Sequence, residues 1–238
     1  MSVEDRKQLA RNIARSTRQA LATDDRLVMS KAICAHIAES SVWAQSIVVL
    51  TYFAAGSEVD LSELFRSSPS HHSTAGSKHR IATAKQAMEA IEHNDRLIQS
   101  RTSGALGPKT FGAPIVEGET IRFGHVRIGK DGSPQTIVGP YGLREPDGPP
   151  VTLDDVGLVL VPLLAFDSHG NRLGSGKGFY DRFLAKNPGL AERGAIMGVG
   201  FSAQEVDHLP VEPHDYRLHG VVTELGTTHL AQPTPQNS

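Results

Sequence analysis

The sequence predicts an α/β fold: a three-layer, open, mainly parallel sheet with helices on both faces. Apolar runs of strand length occupy residues 46–53, 158–161 and 195–201, and each is short enough to be a buried strand. Helical patterns separate these runs along the chain. Strands that alternate with helices pair in parallel, and ligands then bind beyond their carboxyl ends.

Composition excludes several classes of protein. The 238 residues are 39% hydrophobic and 21% charged, as in ordinary globular proteins. A net charge of -2 provides no general basic field for nucleic acid. We find no apolar leader and no run near the roughly 18 residues of a membrane span, so we expect a soluble, cytoplasmic protein. The single cysteine, Cys34, excludes an internal disulfide and is predicted to be a core residue.

The N-terminal region predicts two helices. The first covers residues 4–21, and its basic side chains share one face. They are Lys7, Arg11, Arg15 and Arg18. Considered without other evidence, these four side chains favour a face exposed to solvent. The alternative is a cationic surface that covers phosphates. The second helix runs over residues 24–38, with Thr23 or Asp24 as its cap.

The strand at residues 46–53 is followed by a turn and a short predicted helix over residues 58–65. Glu58 and Asp60 would then be ordinary partners of the helix dipole. Residues 66–107 are interpreted as an insertion, with a Ser- and His-rich loop and a helix ending near residue 91. Its histidines lack the carboxylate or cysteine that would complete a metal site.

The middle of the chain predicts a strand over residues 109–116 and an antiparallel hairpin that includes residues 120–128. Residues 141–146 are predicted to form a constrained loop near a pocket. After residue 201, Ser202 is predicted to cap a short helix reaching residue 208, and residues 221–224 to form the last strand. We therefore expect one domain over residues 1–230 and a disordered tail over residues 231–238.

A glycine-rich loop follows the strand at residues 158–161. After a turn at residues 167–170, Arg172 and Lys177 flank alternating glycines at Gly174, Gly176 and Gly178. The N–H groups of such a loop can converge on an anion, and the predicted helix that begins at Phe179 adds its N-terminus. The spacing departs from the Walker A and dinucleotide motifs. A phosphate site and a plain chain turn therefore both remain open.

Residues around this loop form a long, nearly ungapped pattern. They are Val161-Pro162, Ala165-Phe166-Asp167, Gly170, Arg172-Leu173-Gly174, Gly176-Lys177-Gly178, Tyr180-Asp181-Arg182 and Leu184. The pattern resembles the signature of the 5-formyltetrahydrofolate cyclo-ligase family, also called methenyltetrahydrofolate synthetase. Further similar segments are residues 7–11, 58–60, 141–146 and 209–215. The resemblance covers most of the chain except residues 66–107.

The resemblance implies an ATP- and Mg²⁺-dependent ligase. The formyl oxygen of 5-formyltetrahydrofolate would be phosphorylated by ATP, and N10 would close on the activated carbon. The products would be 5,10-methenyltetrahydrofolate, ADP and phosphate. We expect this small-molecule substrate, possibly polyglutamylated, a monomer, and no nucleic-acid or membrane partner.

The resemblance also implies site residues. Lys177, Arg172 and Tyr180 would be catalytic. The nucleotide would bind Lys7, Arg11, Arg172, Gly174, Ser175, Gly176, Lys177, Gly178 and Tyr180. The folate would bind Phe53, Glu58, Ser175, Gly176, Lys177, Gly178 and Phe179. Asp181 and Asp215 would hold magnesium, although from the residues alone each could be a helix-dipole, ion-pair or turn residue.

Four positions depart from the family pattern: Ala10, Leu61, Ile115 and Ser175. They leave open a family paralogue that binds folate or nucleotide with little turnover. A sugar-phosphate enzyme on a similar sheet is a further alternative, because a fold does not determine its function.

Overall fold

The computed structural model describes residues 1–66 and 109–230. The helices are α1 (Val3–Ala20), α2 (Thr23–Glu39), α3 (Ser41–Gln45), α4 (Ser62–Arg66), α5 (Phe179–Lys186) and α6 (Gly189–Arg193). The strands are β1 (Val48–Leu50), β2 (Thr110–Glu117), β3 (Thr120–His125), β4 (Thr136–Val138), β5 (Arg144–Pro146), β6 (Val156–Pro162), β7 (Ala165–Phe166), β8 (Arg172–Leu173), β9 (Ala195–Val199), β10 (Gly220–Thr223) and β11 (Gly226–His229).

Seven of these strands form the main sheet, in the order β11-β10-β9-β6-β1-β2-β3. The five inner strands are parallel, and β3 and β11 are antiparallel additions at the two edges. Two small ribbons, β4–β5 and β7–β8, stand outside this sheet. The prediction of a mainly parallel sheet is confirmed.

Helices cover both faces of the sheet because its inner strands are apolar on both sides. Leu158 and Leu160 of β6 belong to the cluster that contains α2, α3 and α4. The alternate residues Val159 and Val161 belong to the cluster that contains α5 and α6. Cys34 lies in the first cluster and is buried, as predicted. The architecture is therefore the expected three layers.

Three predicted helix starts are wrong, and local hydrogen bonds explain the one at Glu58. α2 is capped by Ala22 without a side-chain bond, and Thr23 lies inside its first turn. Glu58 is not helical, because its carboxylate accepts the N–H of Ala55; α4 begins only after Asp60 accepts the N–H of Ser62. Ser202 lies inside a three-residue 3-10 turn, and no helix extends to residue 208.

The predicted strands agree with the structure with shorter or shifted ends. β1 keeps three residues of the predicted run, and β2 and β3 form an antiparallel hairpin. The predicted pairing of residues 120–128 with the chain that follows them is reduced to one bridge between Ile128 and Pro134, because β3 pairs with β2 instead. The strand over 221–224 is not the last one, because β11 follows it. The predicted insertion beyond Arg66 and the predicted tail lie outside the described residues.

The carboxyl ends of β1 and β6 lie side by side because the two strands are parallel neighbours. The chain after β1 contributes Tyr52 and Phe53 to this edge, and the chain after β6 contributes Leu163 and Leu164. Across the two described ranges, no helix has the length and apolar character to cross a membrane.

Candidate active site

A cavity of about 370 Å³ opens at this edge of the sheet. Its apolar wall is formed by Tyr52, Phe53, Pro114, Val116, Ile121, Leu143, Pro162, Leu163, Leu164 and Phe179. Its polar wall is formed by Arg15, Arg18, Glu58, Arg144, Glu145, Arg172, Ser175, Lys177 and Asp181. A concave site with an apolar wall and a few convergent charged groups is the usual form of a small-molecule site.

The glycine-rich loop forms one rim of this cavity. The ribbon β7–β8 delivers the chain to the loop, and the loop ends at α5, where Gly178 is the N-cap. Gly176 and Gly178 have φ of +100° and +63°, a region that side chains other than glycine rarely adopt. Arg182 secures the loop from α5 by donating a hydrogen bond of 2.6 Å to the carbonyl of Lys177.

Lys177 is an exposed residue at the mouth of the cavity. Its ammonium lies 4.9 Å from the centre of the Tyr141 ring, a cation–π contact. Tyr141 has a φ of +61°, the only positive value among the non-glycine residues of the described ranges. The loop over residues 141–146 was predicted to lie near a pocket, and its place at the cavity confirms this.

The basic face of α1 is not solvated. Lys7, Arg11 and Arg18 are buried, and Arg15 is half-buried. The solvated face that residues alone favoured was therefore wrong, and the alternative, a cationic surface over phosphates, stays a prediction. The reason for this burial lies far along the chain: the Lys7 ammonium bonds to Asp215 at 2.6 Å and to Glu212 at 2.7 Å.

Lys7 and its two carboxylates form a compact charged cluster. Burial lowers the pKa of Lys7, but the hydrogen bonds to Asp215 and Glu212 outweigh burial and leave this pKa raised. Asp215 also accepts the N–H of Glu212 at 2.7 Å. The lysine is thus held as a cation whose charge balances an acidic pair.

Arg11 faces the glycine-rich loop. A side chain on Gly176 would place its Cβ 3.3 Å from the Nε of Arg11. Arg11 bonds to Glu4 through Nη1, at 2.7 Å, while its buried Nε has no hydrogen-bond partner in the described part of the chain. An unpaired buried donor beside an anion-type loop fits a phosphate oxygen.

Arg172, Asp181 and Tyr180 meet on the inner side of the loop. Arg172 bonds to Asp181 at 2.7 Å, so the ion pair of Asp181 with its neighbour Arg182 does not form. The N–H of Tyr216 also donates to Asp181. Among the described atoms, the Nε of Arg172 and the hydroxyl of Tyr180 are buried without a partner. Burial raises the pKa of Tyr180 well above its usual value, so its hydroxyl keeps its proton.

The two predicted metal ligands lie in adjoining parts of the site. Asp181 lines the cavity. Asp215 groups with Glu212 and His214, with one ligand atom of each within 4.8 Å of the others. The N–H of Tyr216, which follows Asp215 in the chain, donates to Asp181. Carboxylate oxygens of this kind suit magnesium.

Phe53 and Glu58, the predicted folate residues, line the same cavity as the loop. Glu58 Oε2 accepts the N–H of Ala55 at 3.0 Å. Burial raises the pKa of Glu58, while the Ala55 N–H and the charge of Arg18 act in the opposite direction. The structure thus brings most of the predicted folate and phosphate residues to one cavity. Four predicted site residues of the described chain are not among those that line it: Lys7, Arg11, Gly176 and Asp215.

Comparisons with known proteins agree with this arrangement. The sequence model of the 5-formyltetrahydrofolate cyclo-ligase family matches residues 108–224. The solved 5,10-methenyltetrahydrofolate synthetase of Aquifex aeolicus is 26% identical, with a TM-score of 0.63 over 98% of this chain and 99% of that one. Residues 108–224 of this chain thus match the 5-formyltetrahydrofolate cyclo-ligase family. The Mycoplasma pneumoniae synthetase, 18% identical with a TM-score of 0.57, shares the fold over 92% of this chain and 98% of its own.

Curated members of the cyclo-ligase family match over shorter stretches. The Mycolicibacterium smegmatis cyclo-ligase is 39% identical over 94 residues, which cover 38% of this chain and 47% of that protein. The Saccharomyces cerevisiae cyclo-ligase is 34% identical over 114 residues, which cover 47% and 53%. The chain therefore spans about half the length of the curated relatives that it matches.

Several residues that line the cavity were missed by sequence reasoning. Tyr52, Tyr141, Arg144 and Glu145 line the cavity without having been assigned a role. The guanidinium of Arg144 lies 5.4 Å from the centre of the Phe53 ring. The signal that could have found them is the aromatic and charged content of residues 141–146, a segment already matched to the family pattern.

Proposed function

We propose that this protein catalyses the ATP- and Mg²⁺-dependent cyclisation of 5-formyltetrahydrofolate to 5,10-methenyltetrahydrofolate, with release of ADP and phosphate. One observation carries the proposal: a single cavity is lined both by Phe53 and Glu58 and by the glycine-rich loop with Arg172 and Lys177. Two substrates that must exchange a phosphoryl group need such a shared space.

The nucleotide phosphates would lie against the glycine-rich loop. Its N–H groups, the start of α5, and the side chains of Lys177, Arg172 and Arg11 supply positive potential there. The unpaired Nε atoms of Arg11 and Arg172 support this assignment, since each is a buried donor whose partner would be an anion. Lys7 contributes charge from the same face of α1.

The folate would lie along the apolar wall. Phe53 offers a flat surface for the fused ring, and Glu58 Oε1 offers an acceptor for its N–H groups. Phe179, the first residue of α5, and Ser175 of the loop stand where the two substrates would meet. This cavity has room for a drug-sized ligand, as small-molecule sites of this class do.

Magnesium would be held by Asp181 and Asp215, with the phosphate oxygens completing its shell. The donor set fits the ion, since both groups are carboxylates: Asp181 lines the cavity with the loop, and Asp215 groups with Glu212 and His214. Lys7 forms an ion pair with Asp215, and Arg172 forms one with Asp181. In the proposed complex, both cations would also interact with the phosphates.

ATP supplies the phosphoryl group that converts the formyl oxygen into a leaving group. The chain's own part is orientation and charge neutralisation. Lys177 and Arg172 would stabilise the charge on the transferred group. The protonated hydroxyl of Tyr180, buried and unpaired among the described residues, is a donor for an oxygen of the same group.

The experiment is a spectroscopic assay with 5-formyltetrahydrofolate, ATP and Mg²⁺. We expect the near-ultraviolet band of the methenyl product to grow only when all three are present. Folate binding by calorimetry without product would favour a binding paralogue, and sugar-phosphate binding without folate binding would favour an unrelated enzyme. Sedimentation at working concentration tests the proposed monomer.

A further inference from the structure

Arg18, near the end of α1, lies in the cavity wall without a role in the proposed reaction. Its side chain is 9% exposed. Its Nε donates to the Ser57 hydroxyl at 3.1 Å, and its Nη1 donates to the Leu163 carbonyl at 3.3 Å. These two partners follow β1 and β6, so the guanidinium is fixed between the two loops that form the cavity floor.

The fixed guanidinium points at Glu58. Arg18 Nη1 lies 3.9 Å from Glu58 Oε1, within the range of an ion pair but beyond a hydrogen bond. The other oxygen, Oε2, is occupied by the Ala55 N–H. Arg18 therefore supplies charge to Glu58 while leaving Oε1 open toward the cavity.

Other titratable groups face Glu58 from the neighbouring elements. Tyr52, after β1, and Tyr180, of α5, both interact electrostatically with it. Burial raises the pKa of each phenol, so both stay neutral over the working pH range. Arg15 and Arg172 line the same cavity. Of these cations, Arg18 is the one in the described chain that forms an ion pair with Glu58.

We propose that Arg18 is a positioning residue for the folate site, which keeps Glu58 ionised and its Oε1 directed at the substrate. The idea rests on the proposed folate role of Glu58. The basic side chains of α1 would then have two different functions. Lys7 and Arg11 serve the phosphate side, and Arg18 serves the folate side, about 16 Å from Lys7 and about 10 Å from Arg11 along the same helix at roughly 1.5 Å per residue.

The direct test is a carboxyl NMR titration of Glu58 in the full chain, assigned with Glu58→Gln. Burial alone raises the pKa of this carboxyl, and the charge of Arg18 opposes that rise. Arg18→Met keeps the apolar stem and removes the charge, so we expect the Glu58 pKa to rise by about one unit or more. Arg6→Met, which removes an exposed charge from the same helix, should leave it unchanged.

Kinetics give the second readout. We expect Arg18→Met to raise the KM for 5-formyltetrahydrofolate about tenfold near neutral pH and to move the acid limb of kcat/KM upward, with the KM for ATP nearly unchanged. Arg18→Lys retains the charge, so its KM for 5-formyltetrahydrofolate and its acid limb of kcat/KM should both lie close to those of the unmodified protein. Should Arg18→Met fail to fold, Arg18→Gln takes its place in both experiments.

An unshifted Glu58 pKa in the charge-removing variant would overturn the positioning role, whatever the activity. Equal losses for folate and ATP would overturn it too, because a purely structural defect spreads over both substrates. The absence of methenyl product from the unmodified protein would instead refute the proposed function, and the NMR titration would still report on Arg18 and Glu58.

Discussion

Removing the Lys177 side chain tests the proposed phosphate site with little effect on the fold. Lys177 is exposed, and its contact is the cation–π interaction with Tyr141. Such a contact contributes about 0.5–1 kcal/mol at an exposed site, which bounds the expected stability loss. A charge-assisted hydrogen bond to a phosphate contributes about 1.5–3 kcal/mol. Lys177→Ala should therefore lower kcat/KM for ATP by about 10-fold to 150-fold.

The assay is formation of the methenyl product at saturating folate over a range of ATP concentrations. Lys186→Ala is the matched control, since it removes an exposed lysine from the last turn of α5. Thermal unfolding of both variants checks that stability is preserved. Turnover of Lys177→Ala equal to that of the control would remove Lys177 from the mechanism and refute the reasoning.

Four further predictions concern the buried charges, the glycine-rich loop and the core. A double-mutant cycle with Lys7→Met and Asp215→Asn should give a coupling energy of about 1–3 kcal/mol in urea unfolding, and a value near zero would mean that the buried pair is not coupled. The contribution of Lys7 should be complete below its ordinary pKa of 10.5 and be lost as pH rises through its raised value in the fold. Gly176→Ala should raise the KM for ATP, because a φ of +100° is strained for alanine and its Cβ would crowd Arg11; unchanged ATP kinetics would show that the loop tolerates a side chain. Burial raises the pKa of Cys34 to about 12, so a thiol reagent should label it only as the protein unfolds, which mass spectrometry along a urea series would show.

The central strands and the glycine-rich loop were predictable because their signals are local. β6 and β9 are continuous apolar runs, and α5 is delimited by Gly178 at one end and Asn187 at the other. Backbone propensity and burial agree in these segments. The layered arrangement then follows from the alternation of strands and helices.

The N-terminal basic face was not predictable from local sequence. Nothing within α1 indicates that Lys7 bonds to Glu212 and Asp215, which follow it by about two hundred residues. Glu58 was assigned to a helix for a similar reason. Acidic residues suit a first helical turn, but here the Glu58 carboxylate accepts the N–H of Ala55 and closes a turn instead. This contact depends on the burial of Glu58 in the cavity, which local sequence does not indicate.

β11 was missed because its residues lack the usual strand signal. Gly226–His229 is polar and mostly open to solvent, without alternation of apolar and polar side chains. It forms because β10 would otherwise leave the edge of the sheet unpaired. Pairing with β10 determines this strand, so it can be predicted only once the strand order of the sheet is known.

The bonds from Lys7 to Asp215 also order events during synthesis. The two residues are 208 positions apart, and at about 5–20 residues per second the ribosome needs about 10–40 s to join them. Until then Lys7 has neither of its carboxylate partners, although Ser57 and Leu163, the partners of Arg18, are made earlier. The docking face of α1 is mostly charged, with Lys7, Arg11 and Arg18 around Ala14, so water can solvate it during the wait. A helix that docks through cations exposes little apolar surface to chaperones or to other chains before the segment that contains its carboxylate partners has been synthesised.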